Sequence, residues 1–375
     1  MMNYSEILKK IGKINWNGLS CFERSLAICC ETYVENSTLF FLILKAKLRD
    51  NFFSSFSYAI GNSEYYNKLL SLMGLELVYK ETSLYRMDEV FQEEWRLDNR
   101  IVVYTNTLYQ PGSKGYLSKN HPHFVYVDNI SSDTASIIDE DWKGEFWKPA
   151  NAALGVVYEY KEIERNFFNT LATSYNMCLS SDKNNENAIH YYIVRKAKSF
   201  DNLSRLVSDT YIQNMRNLIC DENYYVHAEA TLRSFYDHIE EAYEKTNDEV
   251  SQRNVINNHK LFKREVMELK NRYIYPFESE LIACHHFFID AQRQAYLMYI
   301  DSWFCSYKKQ IIIDTFEKVL LEFEKVKIFI ARDIMAQHNK NFSRVESVLK
   351  NALDSERNLY RLLVDSWIGE ENEQL

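Results

Sequence analysis

The pattern of hydrophobic and polar positions changes character at about residue 160. Upstream, short apolar stretches are separated by turn residues. Phe22, Leu26, Ala27, Cys30 and Tyr33 recur at helical spacing and predict a helix from Cys21 to about Glu35, with a second apolar segment from Leu39 to about Leu48. Strand-like runs follow at Leu75–Tyr79, Ile101–Tyr104, His123–Asp128, Ala135–Ile138 and Val156–Tyr158; Asp141–Ala153 reads as a loop and a short helix. From about Glu162 the period becomes helical. Phe167, Leu171 and Tyr175 carry it first, then Leu203, Leu206, Tyr211, Met215 and Leu218, then Val319, Leu320, Phe323, Val326 and Ile330. Eight of the nine glycines lie between Gly12 and Gly155, and of four prolines only Pro276 lies beyond Pro149, so the second part is almost free of helix breakers. These patterns predict an α+β domain over residues 1–160, helix first and sheet second. An all-helical domain of five to seven helices is expected over 161–375.

Composition narrows the class. The chain has 375 residues, 46% hydrophobic and 15% aromatic, enough for two packed cores. Its formal net charge is -9 and it has no long basic run, which argues against nucleic acid as a partner. Its seven cysteines lack paired metal spacing, and the odd number fits a reduced intracellular protein better than a disulfide scaffold. The first thirteen residues show no long apolar stretch, and the run Leu39–Leu44 is too short to span a bilayer. A cytoplasmic protein without a membrane partner is therefore expected.

The candidate chemistry starts at Cys21. A polar approach, Asn15-Trp16-Asn17-Gly18-Leu19-Ser20, gives way there to the first helix, and Ser20 with Glu23 three residues on has the form of a capping box. Cys21 would then be the first helical residue, where unpaired N–H groups and the helix dipole favour an anion. A hundred residues later His121-Pro122-His123 leads into a strand, and Ser136-Ile137-Ile138-Asp139 ends one in a carboxylate. Each of these residues alone has a plainer explanation: a small core cysteine, an edge histidine, a turn aspartate. Together, in this order and on these elements, they point to a cysteine nucleophile, its base and the acid that orients the base. His121 precedes a proline and belongs to an extended approach, which leaves His123 as the base. Strands His123–Ile130 and Asp133–Asp139 would form a hairpin around Ser131-Ser132. If their paired positions sum to 262, His123 faces Asp139; a two-residue shift puts it opposite Asp141. Alternation does not separate the two, and Asp139 is preferred because it directly ends Ile137-Ile138. The Cys21 N–H and the Asn15 amide are candidate oxyanion donors.

A cysteine opening a helix, an amide six residues upstream, then His and Asp on consecutive strands resembles the papain-like superfamily. The chain is most similar to its C39-like branch and to the butirosin-biosynthesis protein H family. Cys21-Phe22-Glu23-Arg24-Ser25-Leu26 matches the Cys-x-x-x-x-Leu opening, His123–Val127 the His-apolar strand, and Ile137-Ile138-Asp139 the terminal strand. The likeness covers about residues 10–160. Two positions depart from it: proteases of the superfamily carry Gln where this chain has Asn15, and C39 peptidases carry Pro where it has Glu140. The resemblance implies transfer of an acyl group from a carrier-protein thioester to a small amine, in specialised metabolism, with no cofactor of its own. The partner would be an acyl or peptidyl carrier protein, and the helical domain would cover the site or bind the acyl chain or carrier. A peptidase or thioester hydrolase on the same triad, and a non-catalytic binding protein, are the alternatives. Elsewhere, Cys284-His285-His286 sits in Glu278–Tyr299, which reads as one helix; adjacent helical residues point apart, so packing accounts for it. No set of histidines and carboxylates has the spacing of a metal site.

Overall fold

A computed structural model describes residues 4–14, 19–43, 63–111, 116–117, 120–140, 158–179, 186–197, 203–221, 289–336 and 342–368, with single helical positions between 226 and 237. The expected elements at Asp141–Ala153, the residues Asn15 and Asp141, and the Cys284-His285-His286 triplet lie outside the described residues. The chain divides into two units: the described residues through Leu206 fall in one, built on a sheet, and those from Val207 in the other.

The sheet unit opens with α1 (Tyr4–Gly12), α2 (Cys21–Glu31), α3 (Thr38–Ile43) and α4 (Ser63–Ser71). Six strands follow: β1 (Leu75–Ser83), β2 (Arg100–Asn106), β3 (Pro122–Ile130), β4 (Thr134–Glu140), β5 (Tyr158–Glu164) and β6 (Ala188–Lys196). Helix α5 (Met87–Arg96) lies between β1 and β2, and α6 (Arg165–Thr173) between β5 and β6. The strands form one antiparallel sheet in the order β1-β6-β2-β3-β4-β5. The α+β class and four of the expected strands agree with the sequence reading; of the fifth, Val156–Tyr158, only Tyr158 is described, and it opens β5.

The boundary near residue 160 does not. Strand β6 inserts between β1 and β2, so the sheet needs residues almost forty positions beyond the expected limit. Its run Ile189–Val194 is buried throughout, as befits an interior strand covered on both faces, and carries no alternation to mark it. The outer strand β5, by contrast, alternates half-buried and exposed positions after a buried Tyr158. One sheet face packs Val103, Val125, Ile137 and Tyr191 against Phe91 of α5 and Phe168 of α6. On the other, Phe22 of α2 stacks on Phe124 and Tyr192, ring centres 4.4 and 5.2 Å away.

The second unit is helical in its described part. It contains the greater part of α7 (Leu203–Cys220), a helical stretch at 289–295 that runs into a π-helical turn at Tyr296–Ile300, and the long helices α8 (Lys309–Ala336) and α9 (Phe342–Ser366). Val319, Leu320, Phe323, Val326 and Ile330 are all buried, as their spacing predicts. No described helix is long and apolar enough to cross a membrane.

Candidate active site

The site is assembled on the start of α2. Ser20 caps the helix: its hydroxyl accepts the Glu23 N–H at 3.2 Å, and the Glu23 carboxylate accepts the Ser20 N–H at 2.7 Å. This is the capping box that the sequence predicts, and it sets Cys21 at the first helical position. One turn further on, the Ser25 hydroxyl donates to the Phe124 carbonyl at 3.2 Å, which brings the start of α2 to the start of β3. Arg24 is fully buried and donates to the carbonyls of Leu19, Ile11 and Ile14 at 3.2 to 3.3 Å. A guanidinium with its donors fixed in a fork suits this role, and it braces the chain on both sides of residues 15–18. Burial lowers the Arg24 titration, opposed by Tyr158, Glu140, Glu23 and Cys21 in decreasing strength, so the cation sits among groups of the site.

His123 and Asp139 meet beside Cys21. His123 Nε2 lies 2.8 Å from Asp139 Oδ1, with the histidine 4% and the aspartate 0% exposed. Asp139 Oδ1 also accepts the Glu140 N–H at 2.7 Å. Burial alone would lower the His123 titration. The charge of Asp139 and its hydrogen bond, followed by a hydrogen bond with the Cys21 side chain and its charge, outweigh burial and hold the imidazole well above its ordinary range. Glu140 is pushed up by burial and by Asp139, against the pull of His123, Arg24 and Lys161. The described geometry therefore brings together a thiol at a helix start, an imidazole and a carboxylate, and it favours the protonated imidazole.

The expected residue pair meets through a different register. Tyr126 pairs with Ile138 and Val127 with Ile137, sums of 264, whereas Asn129 pairs with Ser136 and Ile130 with Ala135, sums of 265. The turn falls at Ser132-Asp133, closed by Ser131 N–H to the Thr134 carbonyl, and a bulge at Asp128 takes back one residue. Asp139 thus reaches His123 diagonally along the sheet and is not its directly paired neighbour.

One polar side chain of the site carries no sequence signal of the usual kind. Gln110 follows the short 3-10 turn Thr107–Tyr109, is 2% exposed, and sets its Nε2 3.0 Å from His123 Nε2 and 2.5 Å from Asp139 Oδ2. The pairing of Thr105 with His123 offers an indirect clue: the chain leaving β2 must start beside the histidine. Among the described residues no group of three or more His, Cys, Asp or Glu is arranged to hold a metal. No protein-family model matches the chain, and no curated protein matches it in sequence.

Proposed function

We propose that the sheet unit is a papain-like cysteine enzyme that moves an acyl group from a carrier-protein thioester to an amine through an acyl-Cys21 intermediate. The observation that carries this reading is the buried pair His123 Nε2–Asp139 Oδ1, 2.8 Å apart, beside the Cys21 side chain at the start of α2. The helix-before-sheet order, the cysteine at the helix start and the adjacent His and Asp strands support the papain-like assignment.

The chemistry follows from the geometry. The Cys21 sulfur, having given its proton to His123, attacks the thioester carbonyl. The C–S bond to the carrier's pantetheine breaks, and the departing thiolate takes the proton from the imidazolium. One thioester has replaced another, at almost constant free energy. The incoming amine then attacks the acyl-enzyme, His123 accepts its proton, and the Cys21 thiolate leaves as an amide forms. Asp139 keeps the ring oriented and stabilises its charge in both halves. The Cys21 N–H, at a helix start and so without an intrahelical acceptor, is a donor for the carbonyl oxygen, and Asn15 is the proposed second donor.

Intact-mass measurement after mixing with a loaded acyl carrier tests the proposal. An acyl-sized gain on the unaltered protein, absent from Cys21→Ala, is expected, with amide formed on adding a primary amine. No gain, or the same gain on Cys21→Ala, removes the proposal. Release of free acid alone, even in a large excess of amine, identifies a hydrolase instead.

A further inference from the structure

We infer that Gln110 is a positioning residue that fixes the Asp139 carboxylate against His123. The inference rests on the reading of Cys21, His123 and Asp139 as the reacting group, and it adds a fourth member drawn from the β2–β3 connection. A carboxylate held by one oxygen still turns about its Cβ–Cγ bond, because that torsion is broad. Here Oδ1 accepts from His123 and from the Glu140 N–H, while Oδ2 accepts from Gln110 Nε2, so both oxygens are held.

The amide of Gln110 turns its donor to an ionised Asp139, and its nitrogen stands 3.0 Å from His123 Nε2, itself the donor to Oδ1, so two donors share one carboxylate. Reversing it would set a carbonyl oxygen 2.5 Å from Asp139 Oδ2, two acceptors face to face. The observed orientation leaves Gln110 Oε1 buried with no hydrogen-bond partner. A buried acceptor without a partner is costly. The arrangement therefore gives up one hydrogen bond to supply the anion with a donor, which makes sense where the carboxylate must remain both charged and aimed.

Its anchorage is tight. The Gln110 N–H bonds to the Thr107 carbonyl at 3.2 Å. Asn106 Oδ1 accepts the N–H groups of Leu108 at 3.0 Å and His121 at 3.2 Å, and the Thr107 N–H donates to the His121 carbonyl at 2.9 Å. The turn that carries Gln110 and the segment that leads into His123 are thus tied through one asparagine. The charged groups that bear on the ring are Cys21 from α2 and Asp139 and Glu140 from β4, with Arg24 and Lys161 acting on Glu140.

Gln110→Met keeps the side chain's bulk and removes both its donor and its acceptor. Nitrogen-detected magnetic resonance of the full chain reads the result directly. The His123 titration midpoint is expected to fall by about one pH unit, and the Nε2 proton signal to broaden as the carboxylate turns. With the acetyl thioester of pantetheine as probe, Cys21 acylation should slow about tenfold at saturation, with the half-saturating concentration unchanged. In the unaltered protein, the Gln110 side-chain amide protons should shift as His123 titrates; this needs no variant to fold. An unchanged His123 midpoint in Gln110→Met, or amide protons in the unaltered protein that ignore the titration, overturns the inference. The magnetic-resonance readings do not depend on acyl transfer, so an unaltered protein that takes no acyl group defeats the proposed function and leaves the Gln110 result standing.

Discussion

Asp139 of the sheet unit and two buried carboxylates of the helical unit draw their described partners from different distances along the chain. In the helical unit, Asp290 accepts from Gln294 at 2.8 Å and from Arg293 at 3.0 Å, and Glu356 accepts from Tyr360, all within one turn of the same helix. In the sheet unit, Asp139 is held by His123 and Gln110, 16 and 29 residues away in sequence. A local pair forms wherever its helix forms. A distant pair exists only once strands have met in register, and it is lost if that register slips. The difference sets the Asp139 network apart from local pairs such as Ser20–Glu23, which serve a helix end.

The largest expected effect breaks the sheet network at its centre. His123→Ala should slow formation of the acyl adduct by about 10²- to 10⁴-fold, the range for a lost general acid–base. Time-resolved intact mass measures it. A rate within twofold of the unaltered protein would deny the histidine a chemical role.

Asp139→Asn comes next, and its pH dependence has a definite sign. His123 titrates higher when folded than in the unfolded chain, where a histidine lies near ~6.5. Its contribution to stability is therefore whole below about pH 6.5 and disappears as pH rises through the folded value. Removing the Asp139 charge should bring the folded value down. Urea midpoints measured across pH should then fall less steeply on the alkaline side in Asp139→Asn. Parallel curves for the two proteins would show that Asp139 is not what holds the ring up.

Arg24→Met removes three donors and leaves the carbonyls of Ile11, Ile14 and Leu19 to find others. We expect a loss of about 2–4 kcal/mol in unfolding free energy, since buried polar groups are stranded. Peptide-resolved alkylation should also show altered Cys21 reactivity in the protein that remains folded. Ser20→Ala deletes half of the capping box and should cost about 1 kcal/mol. The smallest effect belongs to the other unit. Gln294→Ala removes a within-helix hydrogen bond and should cost about 0.5 kcal/mol, with Cys21 alkylation unchanged. A matching loss of Cys21 reactivity there would erase the contrast between the two networks.

What was legible from sequence follows the same division. The capping box at Ser20 and Glu23, the helical stripe of α8 and the expected strands can be read because each is set by residues within a few positions of one another. Strand β6 escaped because a strand covered on both faces is simply apolar, and Ile189–Val194 has no turn residue inside it. Its length and its wealth of Ile, Tyr and Val were the available signals, and they were outweighed by the helical period around it. The hairpin register differs from the expected one because the turn falls at Ser132-Asp133 and not at Ser131-Ser132; the bulge at Asp128, which no local pattern encodes, takes back one residue.

The ingredients can be read along the chain: a cysteine at a capped helix start, a histidine at the head of one strand and an aspartate at the end of the next. Local hydrogen bonds and side-chain periodicity are short-range, so they can be read along a line. Their meeting is a matter of the folded chain: Asp139 approaches His123 diagonally, Gln110 closes the other side of the carboxylate, and Arg24 braces the approach to Cys21. Those contacts depend on sheet order, bulge and burial, and these arise when segments far apart in the chain exclude water together.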